Sequence, residues 1–170
     1  DVSIPENIPA QAGQIITVPV VYTSNGHNIA SMVLSVDYDQ DAMYFDPADN
    51  DGDGLPDQIT FNIPGGLGAS ATFDASDTDG ELDIYIADTF PPLSGLADGT
   101  IIYITFTAGN PTEPLSAAVN FSLDPAVSFG DTQGQSVPGT SDNGSVFIMP
   151  ASLGDAVLSI EPLTSTVGVG

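Results

Sequence analysis

The chain has 170 residues, 41% of them hydrophobic, with 18 Gly, 14 Pro and no Cys, and it sets 23 Asp and Glu against no Lys or Arg, for a formal net charge of -23 at pH 7. Without cationic side chains it lacks the usual grips on phosphate, which argues against nucleic acid as a partner, and without thiols it has neither disulfides nor cysteine chemistry. It holds no apolar run of the roughly 18 residues that a spanning helix needs, so membrane insertion is not expected, and its length and turn-rich composition fit one all-β domain.

Apolar and polar residues alternate with period two along most of the chain. In order, the segments that read as strands are VSIP (2–5), QIITVPVVYT (14–23), SMVLSVDY (31–38), QITFNI (58–63), ASATFD (69–74), ELDIYIA (81–87), TIIYITFT (100–107), AAVNFSL (117–123), AVSFG (126–130) and GSVFIM (144–149). Turn-forming stretches such as SNGHN (24–28), IPGGLG (63–68), GNPTEP (109–114) and SDNGS (141–145) separate them. About nine or ten short strands without a long helix describe a β-sandwich. In TIIYITFT, Ile102, Ile104 and Phe106 share one face and Ile101, Tyr103 and Thr105 the other, which predicts a strand covered on both sides. Leu82, Ile84 and Ile86 form a one-sided stripe, and Tyr22, Tyr38, Tyr85 and Tyr103 fall inside strand patterns where core packing is the ordinary outcome.

One segment departs from this alternation, DPADNDGDGLPDQ (46–58). Asp49, Asp51 and Asp53 stand at positions 1, 3 and 5 of a calcium loop, Gly54 at the turning position, Leu55 where a carbonyl would ligate and Asp57 at position 9. Position 12 is Thr60, inside a predicted strand, so this is not an EF-hand, and Asp46 or a neighbouring loop is expected to complete the shell. Ca2+ is the expected cofactor: a hard cation wants several oxygens, and bound cations also relieve the self-repulsion of so acidic a surface. The affinity expected is that of extracellular modules, on the order of 0.1 to 1 mM. A second acidic run at 74–83, with Asp77, Asp79 and Asp83, reads first as a hairpin turn and only second as another ion site. His27 is the only imidazole and lies in the SNGHN turn, so no catalytic group is expected there, and no enzyme activity is expected of the chain.

Taken in order, AGQIITVPVVYT, NGHNIASMVLSVDYDQDAMYF, SGLADGTIIYITFTA and VNFSLDPAVSFGDTQGQ with DNGSVFI resemble the cohesin family of extracellular modules, over approximately residues 2–149. The resemblance implies a jelly-roll sandwich of about nine strands, no catalysis, an extracellular or cell-surface location, and a sheet face that receives a dockerin module. It gives a cohesin-like domain over 1–150 and leaves 151–170 as a C-terminal extension, a linker or a donor strand. In that extension AVLSIEPL is β-prone, and Val157, Leu158, Ile160 and Leu163 are the side chains expected to fill a neighbour's sheet edge. Self-assembly of copies into a fibre or array by strand donation is therefore the expected function, with residues 1–7 as a second donor. Capture of a dockerin module and binding of a polysaccharide are the alternatives.

Overall fold

The structure, a computed structural model, describes residues 1–74 and 80–151. The candidate donor side chains Val157, Leu158, Ile160 and Leu163, and the acidic residues Asp77 and Asp79, lie outside the described residues. In chain order the strands are β1 (Val2–Ser3), β2 (Ile8–Gln11), β3 (Ile15–Tyr22), β4 (Ile29–Tyr38), β5 (Met43–Tyr44), β6 (Ile59–Phe61), β7 (Leu67–Asp74), β8 (Glu81–Asp88), β9 (Gly99–Ala108), β10 (Leu115–Phe121), β11 (Ser128–Asp131), β12 (Ser136–Val137), β13 (Ser141–Asp142) and β14 (Gly144–Met149).

They form two sheets. The first runs β13-β1-β3-β9-β5, with β6 also paired to β9. The second runs β12-β11-β4-β10-β14-β2, and its other flank continues from β4 through β8 to β7. Between them the inward residues interdigitate: Val18, Val20, Ile102, Ile104 and Phe106 from the first sheet meet Leu34, Val36, Leu82, Ile84, Val119 and Val146 from the second, all 2% exposed or less. Burying one such aliphatic side chain is worth about 1.5 to 3 kcal/mol. Aromatic rings tie the layers together, Phe106 lying 4.8 Å from Tyr38 and 6.0 Å from Phe45 between ring centres.

The predicted strands are present, and the Leu82, Ile84 and Ile86 stripe is buried as its alternation requires. The expectation for TIIYITFT is corrected: Ile102, Ile104 and Phe106 face the core, but Tyr103 is 37% exposed and Thr107 is also exposed. Ile101 is buried beside an irregularity in the β3–β9 register at Val20/Val21. The strand is central in its sheet yet covered on one face only along 103–107.

Residues 1–7 are also corrected as a donor, because the domain uses them itself. β1 pairs with β3 and β13, Val2 and Ile4 are buried, and the Asn7 amide donates to Ser145 Oγ at 3.0 Å. Asn7, at φ 55, turns the chain from the first sheet into β2 of the second. The fit there is close enough that a Cβ on Gly144 would lie 2.4 Å from Ile4 Cγ2 and 2.5 Å from the Pro5 carbonyl oxygen, so β14 accepts only glycine at this crossing.

Candidate functional site

The acidic loop connects β5 to β6 and folds on its own carboxylates. Gly52 and Gly54 take left-handed conformations (φ 76 and 89), which lets both amides turn toward Asp49: Gly52 N–H donates to its Oδ1 at 2.7 Å and Gly54 N–H to its Oδ2 at 3.0 Å. Asp57 closes the loop, its own amide donating to the Ala48 carbonyl at 2.8 Å while its carboxylate accepts from the Asn50 amide. As a result Asp49, Asp51 and Asp57 each bring a carboxylate oxygen within 4.8 Å of the others, all three on exposed side chains. Leu55 is partly buried against the core and anchors the loop.

Two of the proposed ligands stand apart. Asp53 lines the same depression as Asp51 and Asp57, but it is outside the convergent group, and its Oδ1 accepts from the Leu55 amide at 2.8 Å. Asp46 is likewise outside the convergent group. Its Oδ1 accepts from the Ala48 amide at 3.1 Å, and it borders another depression with Ile15 and Tyr44. Spacing places aspartates along a loop, whereas each short side chain is free to cap a nearby amide, and that local bond decides where it points. Asp83, the described member of the second acidic run, lies in β8 opposite Ser35 and Thr72, where its buried Oδ1 makes no hydrogen bond. β7 and β8 pair as far as Asp74 with Glu81, as a hairpin requires.

A second candidate is the outer face of the second sheet. The register sets Asp37 beside Glu81 and Asn120, Ser35 beside Asp83, and Val33 beside Tyr85 and Ser128. Ser35 Oγ–H donates to Glu81 Oε1 at 2.8 Å. Tyr85 is 45% exposed, which corrects the expectation that it packs in the core, and Leu123 in the β10–β11 connection is 90% exposed. At the carboxyl-rich end lies an open depression of about 350 Å3, lined by Asp37, Tyr38, Asp39, Gln40, Asp41, Ala118 and Asn120. Asp39 builds its rim, its Oδ1 accepting from the amides of Asp41 and Ala42, both at 3.1 Å. Burial pushes the Tyr38 phenol above its ordinary range, so it remains a neutral hydroxyl at this wall. His27 is exposed in its turn, its amide donating to the Ser24 carbonyl at 2.9 Å.

The family model for the cohesin domain matches residues 1–148. The chain belongs to the cohesin domain family. Among curated proteins none matches it significantly. Solved structures share the fold. The sixth cohesin of scaffoldin B from Acetivibrio cellulolyticus, solved in complex with a Cel5 dockerin mutant, is 22% identical with a TM-score of 0.62, covering 87% of this chain and 97% of its own. The type I Coh-OlpA–Doc918 cohesin–dockerin complex from Clostridium thermocellum gives 15% identity and a TM-score of 0.61, covering 87% and 99%. The seventh ScaB type I cohesin from Pseudobacteroides cellulosolvens gives 13% and 0.64, covering 98% of each chain. At these identities the likeness is one of fold: a cohesin jelly-roll sandwich.

Proposed function

We propose that this cohesin is a non-catalytic, extracellular protein–protein module that captures a dockerin-type partner on the outer face of its second sheet. The observation that carries the reading is the make-up of that face, where Val33 of β4 and the exposed Tyr85 of β8 share the sheet with an acidic depression edged by Asp37, Asp39 and Asp41. An aromatic anchor beside concentrated charge gives both burial and steering. Because the chain has no Lys or Arg, the partner must supply every cation at the interface. Similarity to cohesins solved with dockerins supports capture over strand-donated fibres.

The test is calorimetric titration with a panel of dockerin modules. Tyr85→Ala and Asp41→Lys should each weaken the best binder at least tenfold, and affinity should fall as salt rises. Absence of binding across the panel, or binding indifferent to both substitutions, would remove this face from the reading.

Calcium belongs to the same proposal. Asp49, Asp51 and Asp57 would hold the ion at the 46–58 loop and neutralise part of its charge, and the convergence of their carboxylates supports this. Asp53 and Asp46 are not assigned to it.

A further inference from the structure

The outer face of the first sheet has a different chemistry. In a chain with 23 carboxylates, β1, β3, β5, β6 and β9 contain none, and the one carboxylate in a strand of this sheet is the exposed Asp142 of the edge strand β13, so the outward positions of the central strands are uncharged. The register lays these positions out in rows: Ile15, Thr107 and Tyr44 in one, Thr17 and Thr105 in the next, Pro19, Tyr103 and Thr60 in the third. Ile15 is 69% exposed, Tyr44 61% and Tyr103 37%. Between the first two rows lies a shallow depression of about 120 Å3, walled by Ile15 and Tyr44, with Thr105, Thr107, Gln58 and Asp46 as its polar lining.

That lining selects a ligand class. Threonine hydroxyls donate and accept, the Gln58 amide does both, and Asp46 accepts, while Tyr44 offers an aromatic surface with a polar tip. A pyranose ring presents the complement, hydroxyls at its edge and an apolar C–H face. An anion finds no cation here, and a cation finds one carboxylate where the 46–58 loop offers three together. A second copy of the chain fits less well. The rows run from Tyr103 to Thr107 along β9, about 14 Å, and are three strands wide, about 10 Å between outer strand axes, while the sheet continues on the β3 side into β1 and β13, where Asp142 is exposed. The uncharged rows alone fall well short of the roughly 800 Å2 per partner of a stable protein interface, and a copy seated more widely would meet Asp142 on a chain that has no Lys or Arg to pair with it. A shallow track of hydroxyls and rings with a single carboxylate, Asp46, suits a sugar chain.

We propose that the outer face of the first sheet binds a neutral polysaccharide, with one pyranose seated against Tyr44 over Thr105 and Thr107 and the chain running on toward Tyr103. The site lies on the sheet opposite the capture face, so the two activities are separable. The test uses the full 170-residue chain in co-sedimentation with insoluble cellulose, chitin and neutral xylan. Retention is expected on at least one of them. Tyr44→Ala should weaken it at least tenfold and Tyr103→Ala about threefold, Tyr44→Phe should preserve it, and Tyr85→Ala on the other sheet should leave it unchanged. If Tyr44→Ala melts early, Ile15→Asp probes the same depression from an exposed position. Loss of retention with dockerin titration intact identifies the sugar site specifically. Retention on none of the three, or retention that survives both Tyr44→Ala and Ile15→Asp, overturns the proposal. So does a dimer in analytical ultracentrifugation that Tyr44→Ala dissociates in a chain that no polysaccharide retains, which would make the face a contact between copies.

Discussion

Strands β8 and β9 are built on one inward code and two outward codes. Leu82, Ile84 and Ile86 of β8, like Ile102, Ile104 and Phe106 of β9, alternate into the core and are at most 2% exposed. Outward, β8 presents Glu81, Asp83 and Tyr85, whereas β9 presents Tyr103, Thr105 and Thr107. A sandwich needs only the inward half of each strand to fold, which leaves the outward half free to carry recognition. One sheet has become an acidic surface with an aromatic anchor, the other a neutral surface of hydroxyls and rings. In a protein of net charge -23, the near-neutral sheet is the more informative departure, because carboxylates are absent from β1, β3, β5, β6 and β9 and occur only at Asp142 of the edge strand β13.

If the contrast is confined to the outward positions, the core beneath each face should respond alike. Ile104→Ala under the neutral face and Leu34→Ala under the acidic face remove fully buried side chains, and each should cost about 3 kcal/mol. Urea unfolding at low and high salt checks this. Equal losses that salt does not alter keep the contrast on the surface, while a much smaller loss for Ile104→Ala would mean that the neutral sheet contributes less to the common core.

The inward code was legible in the sequence because period-two alternation and burial on one face are the same constraint. The short strands were not. Met43–Tyr44, Ser136–Val137 and Ser141–Asp142 have two residues each, too few for a period; the first two exist because a longer strand lies alongside, and the third because it pairs with the equally short β1. Ile8–Gln11 carries a proline and owes its state to parallel pairing with β14. The outward code was misread where it mattered. Tyr85 and Tyr103 sit in good strand patterns, and a pattern gives alternation without saying which side has a second layer. Tyr44, the most exposed of the five tyrosines, had no strand pattern to attract notice. In the acidic loop the spacing lists five aspartates, and the structure brings the carboxylates of Asp49, Asp51 and Asp57 together while Asp53 and Asp46 accept from nearby amides, a difference invisible in spacing.

The acidic loop joins β5 to β6 at the border of the neutral sheet, so calcium there would sharpen the contrast between faces by neutralising its nearest carboxylates. At ten times its dissociation constant an ion bound only to the folded state adds about 1.4 kcal/mol. The melting midpoint should therefore rise with millimolar calcium and return in chelator, and Asp51→Asn combined with Asp57→Asn should abolish the rise. An equal rise in the double variant would place the ion elsewhere, and no rise in the unmodified chain would remove calcium from the proposal.

The smallest expected effect concerns Asp88, which ends β8 but is turned inward and only 8% exposed. Its Oδ1 accepts from the Phe90 amide at 3.0 Å and its Oδ2 from the Ser94 amide at 2.6 Å. These bonds favour the ionised form and hold the carboxyl below its ordinary range, the Phe90 bond foremost. A carboxyl with a depressed folded-state pKa contributes stability that is present above its unfolded value, about 3.9, and is lost as pH falls through the lower folded value. The exposed carboxylates of the acidic face act in the opposite sense, since protonating them relieves repulsion. Absolute stability thus mixes two opposing trends, and the informative quantity is the difference between the unmodified chain and Asp88→Asn, in which the general charge load nearly cancels. Measured by thermal melting, that gap should be widest near neutral pH, narrow below about pH 4 and close in stronger acid. A gap independent of pH would mean that Asp88 acts through shape alone. A gap that widens in acid would place Asp88 among the repelling carboxylates of its sheet, not apart from them.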